Sequence, residues 1–176
     1  MPDRHYILLL ILLFPGLALT QTIHLEKEKV GYKGKIESHK GGKTDNYSKA
    51  KEMLFNIVKA NPDSIKENKE EKEITASASI RLPSEYHLIK VMKYKLRLKP
   101  IDNGIGYEIG DIKLELRERG KKGKTYLAEE ILKGVEEHGK VAMMAEKQLN
   151  EIDMNIQKLI ASMQLHLRNA NGIGNN

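Results

Sequence analysis

Lys93, Lys95, Arg97 and Lys99 stand at alternate positions of one short stretch. Side chains two apart in a β-strand point the same way, so the four form a row of cations on one face. Lys113 and Arg117 fall on the same side of the strand predicted to return beside it, and Arg81 on that of a nearby one, with Glu115 the only acid interleaved. The chemistry open to such a row is electrostatic capture of a ligand with several negative charges. An acidic envelope glycan, an anionic lipid or an acidic protein fits that description. Nucleic acid is disfavoured, because no aromatic side chain sits among these cations to stack on bases. The plainer reading of the same row is a solubilising face whose lysines guard the sheet.

No other group of residues points to a reaction. Gly42-Lys43-Thr44 and Gly123-Lys124-Thr125 have the end of a phosphate-binding loop, but Glu37 and Glu118 stand where its first glycine is needed. Gly104-Ile105-Gly106 opens a strand, whereas a dinucleotide fingerprint opens a helix. His24, His39, His87, His138 and His166 include no pair at the three-to-five spacing of zinc sites. The chain has no cysteine, which removes disulfides, thiolate catalysis and cysteine-bound metals. No Gly-x-Ser-x-Gly elbow is present. Glu129-Glu130 and Glu136-Glu137 could supply paired carboxylates, but on a short helix they read as a solvated face. Asn46-Tyr47-Ser48 matches a glycosylation acceptor at a helix start. No catalytic, cofactor-binding or metal-binding residue is therefore assigned, and the chain is read as non-enzymatic.

The elements that hold the cation row follow from periodicity. Val30, Tyr32, Gly34 and Ile36 alternate with Lys33 and Lys35 as a strand. Thr44 is the expected N-cap of a helix carrying Tyr47, Ala50, Leu54, Ile57 and Val58, which Asn61-Pro62 ends. A short strand within Ser64–Asn68 and a charged turn at Lys69–Lys72 precede the cleanest strand, in which Ile74, Ala76, Ala78, Ile80 and Leu82 alternate with polar residues up to Pro83. Tyr94, Leu96 and Leu98 alternate with the cations. Asp102-Asn103-Gly104 has hairpin-turn chemistry, and the apolar parity flips between Ile109 and Ile112, which requires a bulge near Gly110-Asp111. Thr125 is the expected cap of a short helix with Leu127, Ala128, Ile131, Leu132 and Val135, broken at Gly139. Ala142, Ala145, Leu149, Ile152, Ile156, Leu159 and Met163 then mark a long final helix. Strands in succession with one apolar face each, followed by helices, predict an α+β domain: an antiparallel sheet with helices packed on one face.

The first twenty residues read differently. Arg4 and His5 precede an unbroken apolar run from Ile7 to Leu13, Pro15-Gly16 interrupts it, and Ala18 and Thr20 are small residues two apart. This is the pattern of a cleavable signal peptide over residues 1–20, and the run is well short of the ~20 residues that a membrane span needs. A single domain over residues 21–168 and a disordered Gly/Asn tail over residues 169–176 complete the expected organisation. The formal charge of +6 is unchanged by loss of the leader, because Asp3 and Arg4 leave together. Export without disulfides fits a bacterial envelope protein, periplasmic or secreted.

The leader, the basic first strand, the helix beginning Thr44-Asp45-Asn46-Tyr47-Ser48-Lys49-Ala50, the Ile74–Leu82 strand, the Tyr94–Leu116 hairpin and the long final helix together resemble an uncharacterised family. It comprises exported bacterial domains of unknown function with a fold similar to TATA-box-binding protein. The likeness covers roughly Glu26 to Leu167, and the turn Ile101-Asp102-Asn103-Gly104 departs from it in lacking the aromatic and basic residues expected just after. It implies the fold and an envelope or extracellular location, and it carries over no catalytic residue. The expectation is a binding or accessory module of the bacterial envelope, without cofactor, acting through the basic face as a monomer or weak dimer. An envelope glycan or lipid hydrolase and a nucleic-acid binder are the alternatives.

Overall fold

The computed structural model describes residues 22–23, 29–38, 42–84 and 87–172, so the leader lies outside the described residues. The elements are β1 (Thr22–Ile23), β2 (Tyr32–Glu37), α1 (Lys43–Met53) continued by a π-helical turn (Leu54–Val58), a 3-10 turn (Pro62–Ser64), β3 (Lys66–Asn68), β4 (Glu73–Leu82), β5 (Leu88–Ile101), β6 (Gly104–Glu118), β7 (Lys124–Leu127), α2 (Ala128–Val135) and α3 (Lys140–Gly172). Every strand pair is antiparallel, in the order β1-β2-β6-β5-β4-β3. β7 also pairs with β6. β2 takes Gly104–Ile109 and β7 takes Lys113–Leu116, so the two lie end to end along one edge of β6.

The β5–β6 hairpin is the centre of the sheet. Its turn is Asp102-Asn103, and Gly104 leaves it at φ 148, where a Cβ would stand 2.1 Å from the Ile36 carbonyl oxygen. Only glycine accepts that approach. The expected bulge is present. Lys93 pairs with Lys113 and Lys95 with Gly110, so Asp111 and Ile112 together oppose Tyr94. Asp111 takes the left-handed conformation, φ 51, and the extra residue keeps both Ile109 and Ile112 buried.

All the helices cover one face. Met92, Tyr94, Leu96, Leu98, Ile105, Tyr107, Ile109, Ile112 and Leu114 point into a core completed by Met53 and Leu54, Ile131, and Ile152, Ile156, Ile160 and Met163 of the three helical segments. α3 has 33 residues, about 50 Å at 1.5 Å per residue. β6, at 15 residues, is about as long, so the helix spans the central hairpin. Two polar contacts fix the helices in place. The buried Asn46 amide donates to the carbonyls of Ile101 (2.7 Å) and Asp102 (3.3 Å), pinning α1 to the hairpin turn. Lys90, on the helix side of β5, meets Glu151 of α3 at 2.9 Å.

Several local expectations are corrected. Gly42, not Thr44, is the N-cap of α1, and Thr44 lies in its first turn. Lys59 ends the helical segment in the left-handed conformation, with Ala60 N–H donating to Leu54 C=O at 3.0 Å, before Asn61-Pro62 is reached. Thr125 caps no helix. It lies in β7, and α2 starts at Ala128, where Glu130 accepts from the Leu127 N–H at 2.8 Å. Local propensity misses β7 because its four residues are exposed and are held by pairing with β6, not by an apolar stripe. α3 runs on to Gly172, past the expected start of the tail at Asn169.

Candidate anion-binding groove

The site is built on the face of the sheet that the helices leave open. Arg81, Lys93, Lys95, Arg97, Lys99, Lys113 and Arg117 all lie there and all are exposed. Pairing sets them in rows across the strands: Ser79, Lys93 and Lys113 in one, and Ser77, Lys95 and Gly110 in the next. Between these rows runs a depression of about 510 Å³, lined by Lys93, Lys95 and Lys113, by Ser77 and Ser79, and by Asp111. Two causes make it. The bulge at Asp111 bends β6 there, and Ser77 and Ser79 are too small to fill the floor. Lys59 and Asn61 close its outer end, because the chain leaving the π-helical turn rounds the β4 edge.

Acids on the same face decide which cations are free. Arg97 lies between Glu73 (3.2 Å) and Glu108 (3.4 Å), and Lys93 holds Glu115 at 2.6 Å. The hydrogen bond from Lys93, and then its charge, hold the Glu115 carboxyl below the ordinary carboxylate range. Glu115 is thus not the only interleaved acid: Glu73, Glu108 and Asp111 share the face. Glu73 and Glu108 belong to β4 and β6, and only strand pairing brings them to Arg97. Lys59, Lys95 and Lys113 have no ion-pair partner among the described residues. The groove therefore gathers three of the seven expected cations. Arg97 is neutralised, Lys99 lines a neighbouring depression with Lys33, and Arg81 and Arg117 lie outside both.

Sequence reasoning missed Lys59, which reaches the groove only through the wrap of its loop. It also left out Lys33 and Lys35. Their alternation is plain, but nothing local says that β2 joins the far side of β6, where Lys33 pairs with Glu108.

The other candidates resolve into structural roles. Glu129 accepts from the Val30 N–H at 3.0 Å and Glu130 caps α2, so this pair anchors backbone. The Asn46 amide of the glycosylation match is buried and bonded inward. Tyr32, Tyr94 and Tyr107 are buried on the helix side, and burial raises the pKa of each hydroxyl, with Asp153 adding to the effect at Tyr32. Tyr47 bonds Glu67 at 2.5 Å, which pushes its hydroxyl up to about 12. Among the described residues, no three His, Asp or Glu side chains gather as a metal site, and no helix is long and apolar enough to cross a membrane.

No family model matches the chain, and no curated protein matches it. Two solved structures do. One, described as a TBP-like protein from Parabacteroides distasonis, superposes with a TM-score of 0.66 at 20% identity, covering 82% of this chain and 96% of that one. The other, a DUF4468 family protein from Bacteroides ovatus, gives a TM-score of 0.57 at 15% identity over 81% and 90% of the two chains. The likeness is one of fold, and the fold is the TBP-like one that the sequence resemblance implies.

Proposed function

We propose that this chain is a non-enzymatic binding or accessory module, exported to the bacterial envelope, that holds polyanions in the groove on its open sheet face. The observation that carries the reading is the groove itself, where Lys59, Lys95 and Lys113 form no ion pair among the described residues and stand beside the hydroxyls of Ser77 and Ser79, with Asp111 as the carboxylate of the lining. Cations that keep their charge uncompensated at a concave site attract an anionic chain, and nearby hydroxyls supply hydrogen bonds to its oxygens. The absence of exposed aromatic side chains from the lining leaves charge and hydrogen bonding as the means of recognition. The export half of the reading rests on the leader-like segment Met1–Thr20, with cleavage after Thr20 and a mature N-terminus at Gln21.

The test is retention of mature protein on anionic lipid vesicles and on an acidic glycan, at low and moderate salt. Retention should fall steeply with salt, since screening shortens the Debye length from about 10 Å at 0.1 M to about 3 Å at 1 M. Lys95→Glu with Lys113→Glu should abolish it. Equal retention of the wild type and this double variant would leave the face as a solubility device.

A further inference from the structure

We infer that the partner at this site is an acidic polypeptide segment, which adds to the open edge of β4 as an extra strand and lays its carboxylates into the groove. The inference rests on the polyanion reading and narrows it to one class of ligand.

The edge of β4 is closed along part of its length and open along the rest. β3 pairs with Glu73, Ile74 and Thr75. At Ser77 the hydroxyl of Ser64 stands in for a strand: it accepts from the Ser77 N–H (3.1 Å), and its one proton lies between the carbonyls of Asn61 (2.7 Å) and Ser77 (3.0 Å). Those contacts show which way the backbone of Ser77 faces. In an antiparallel ladder alternate residues direct both backbone groups to the same side, so Ser79 and Arg81 also face away from β5. No described strand pairs with them, and Pro83, which has no N–H, ends the window. What remains is two residues that offer two donors and two acceptors, an incomplete ladder of the kind that peptides complete.

The side chains around the window specify what would complete it. A peptide residue opposite Ser79 or Arg81 would project onto the open face. There it meets the Arg81 guanidinium and the groove end formed by Lys59, with Lys93 next across the sheet. An acidic residue suits both positions. The residue between them would project to the helix side, against the half-buried Ile80 and Ala78. An apolar residue suits that position. The pattern is acidic, apolar, acidic. A second copy of this chain pairing there would instead bring Arg81 and Lys59 of both copies together, so charge complementarity favours an acidic partner. Glycans and lipid headgroups meet the cations equally well, but they cannot match the row of backbone donors and acceptors.

The experiment uses a short peptide alternating Asp and Val, a version N-methylated at every Asp and one N-methylated at every Val, with polygalacturonate and phosphatidylglycerol vesicles as the other anions. The strand pairing predicts that the parent binds and protects the Ser79 and Arg81 amides from hydrogen exchange. Methylation at Asp, whose amides face β4, should weaken binding by about tenfold or more, while methylation at Val, whose amides face solvent, should leave it unchanged. Ser79→Pro, which removes one outward donor without touching the β5 ladder, should weaken the peptide and leave vesicle retention as it was. Equal binding of the two methylated peptides, or retention of glycan or vesicles with no affinity for the peptide, would overturn this inference alone. Failure of every anion to bind at low salt would overturn the polyanion reading with it.

Discussion

Two ion pairs three residues apart on β5 do different work because they lie on opposite faces of the sheet. Lys90 meets Glu151 on the helix side, where both side chains are mostly buried, 18% and 14% exposed. Lys93 meets Glu115 on the open side, where the lysine is 54% exposed. The first pair carries little net stabilisation of its own, since desolvation offsets most of the attraction, yet losing one partner would strand a charge against the core. It ties α3 to one position on the sheet. The second is screened by water and is worth little to folding. It withholds a cation from the groove instead. On one side a charge serves the packing, and on the other it sets what the surface can bind.

The sharpest way to break this contrast is to uncover the helix side. Truncation at Lys140 removes α3, which supplies Ile152, Ile156, Ile160 and Met163 to the core. It should abolish a cooperative thermal transition, and an unchanged transition would mean that α3 serves a partner and not the fold. Within the core, Ile156→Ala at a fully buried site should cost about 2–5 kcal/mol in denaturant titration. Ile80→Ala at the open β4 edge should cost nearer ~1 kcal/mol, because that side chain is only half-buried. Equal losses would mean that the β4 edge is covered.

Smaller effects test the two ion pairs. Glu151→Ala should cost about 1–2 kcal/mol by leaving Lys90 unpaired on the helix side, whereas Glu115→Ala, on the open side, should leave the denaturation midpoint unchanged. Lys95→Glu with Lys113→Glu should likewise leave the midpoint unchanged while polyanion retention is lost. A double variant that unfolds would show these lysines to be part of the packing.

The smallest expected effect is on pH dependence. The folded pKa of Glu115 is lowered, by its hydrogen bond with Lys93 first and by charge second. Whatever stability the pair adds is present above the unfolded carboxylate pKa and is lost as pH falls through the lowered folded value. The same protonation frees Lys93 for the groove. Retention of a sulfated polymer, whose own charge stays constant, should therefore rise as the pH drops from 7 to about 3. A flat profile would detach Glu115 from the groove.

Much of this was legible along the chain. Period-two alternation identified the inward and outward sides of β2, β4, β5 and β6, and the parity flip at Ile109 and Ile112 located the bulge, since a strand can keep both residues buried only by gaining one. Three-four spacing identified α3. The local misses were at ends and short pieces. Gly42 took the cap that Thr44 was expected to hold, and β7 replaced the first turn of a helix, because in both places a distant strand or a backbone angle outweighed a single side chain's preference.

The residue pattern along the chain was enough to put a row of cations on one face of a sheet, because alternation is a local property of the backbone and each strand carries its own period. It could not determine which of those cations would be neutralised. That depended on register between strands: Glu73 and Glu108 meet Arg97 only because β4 and β6 flank β5 with Thr75 and Glu108 opposite it. Nor could it say that Lys59 closes the groove, that Lys33 joins the same face, or that β4 ends in a window at Ser79 and Arg81 with which no described strand pairs. Each of these follows from where a segment distant in sequence comes to rest. Local patterns specify the direction in which a side chain points, and only the packed fold specifies what it finds there.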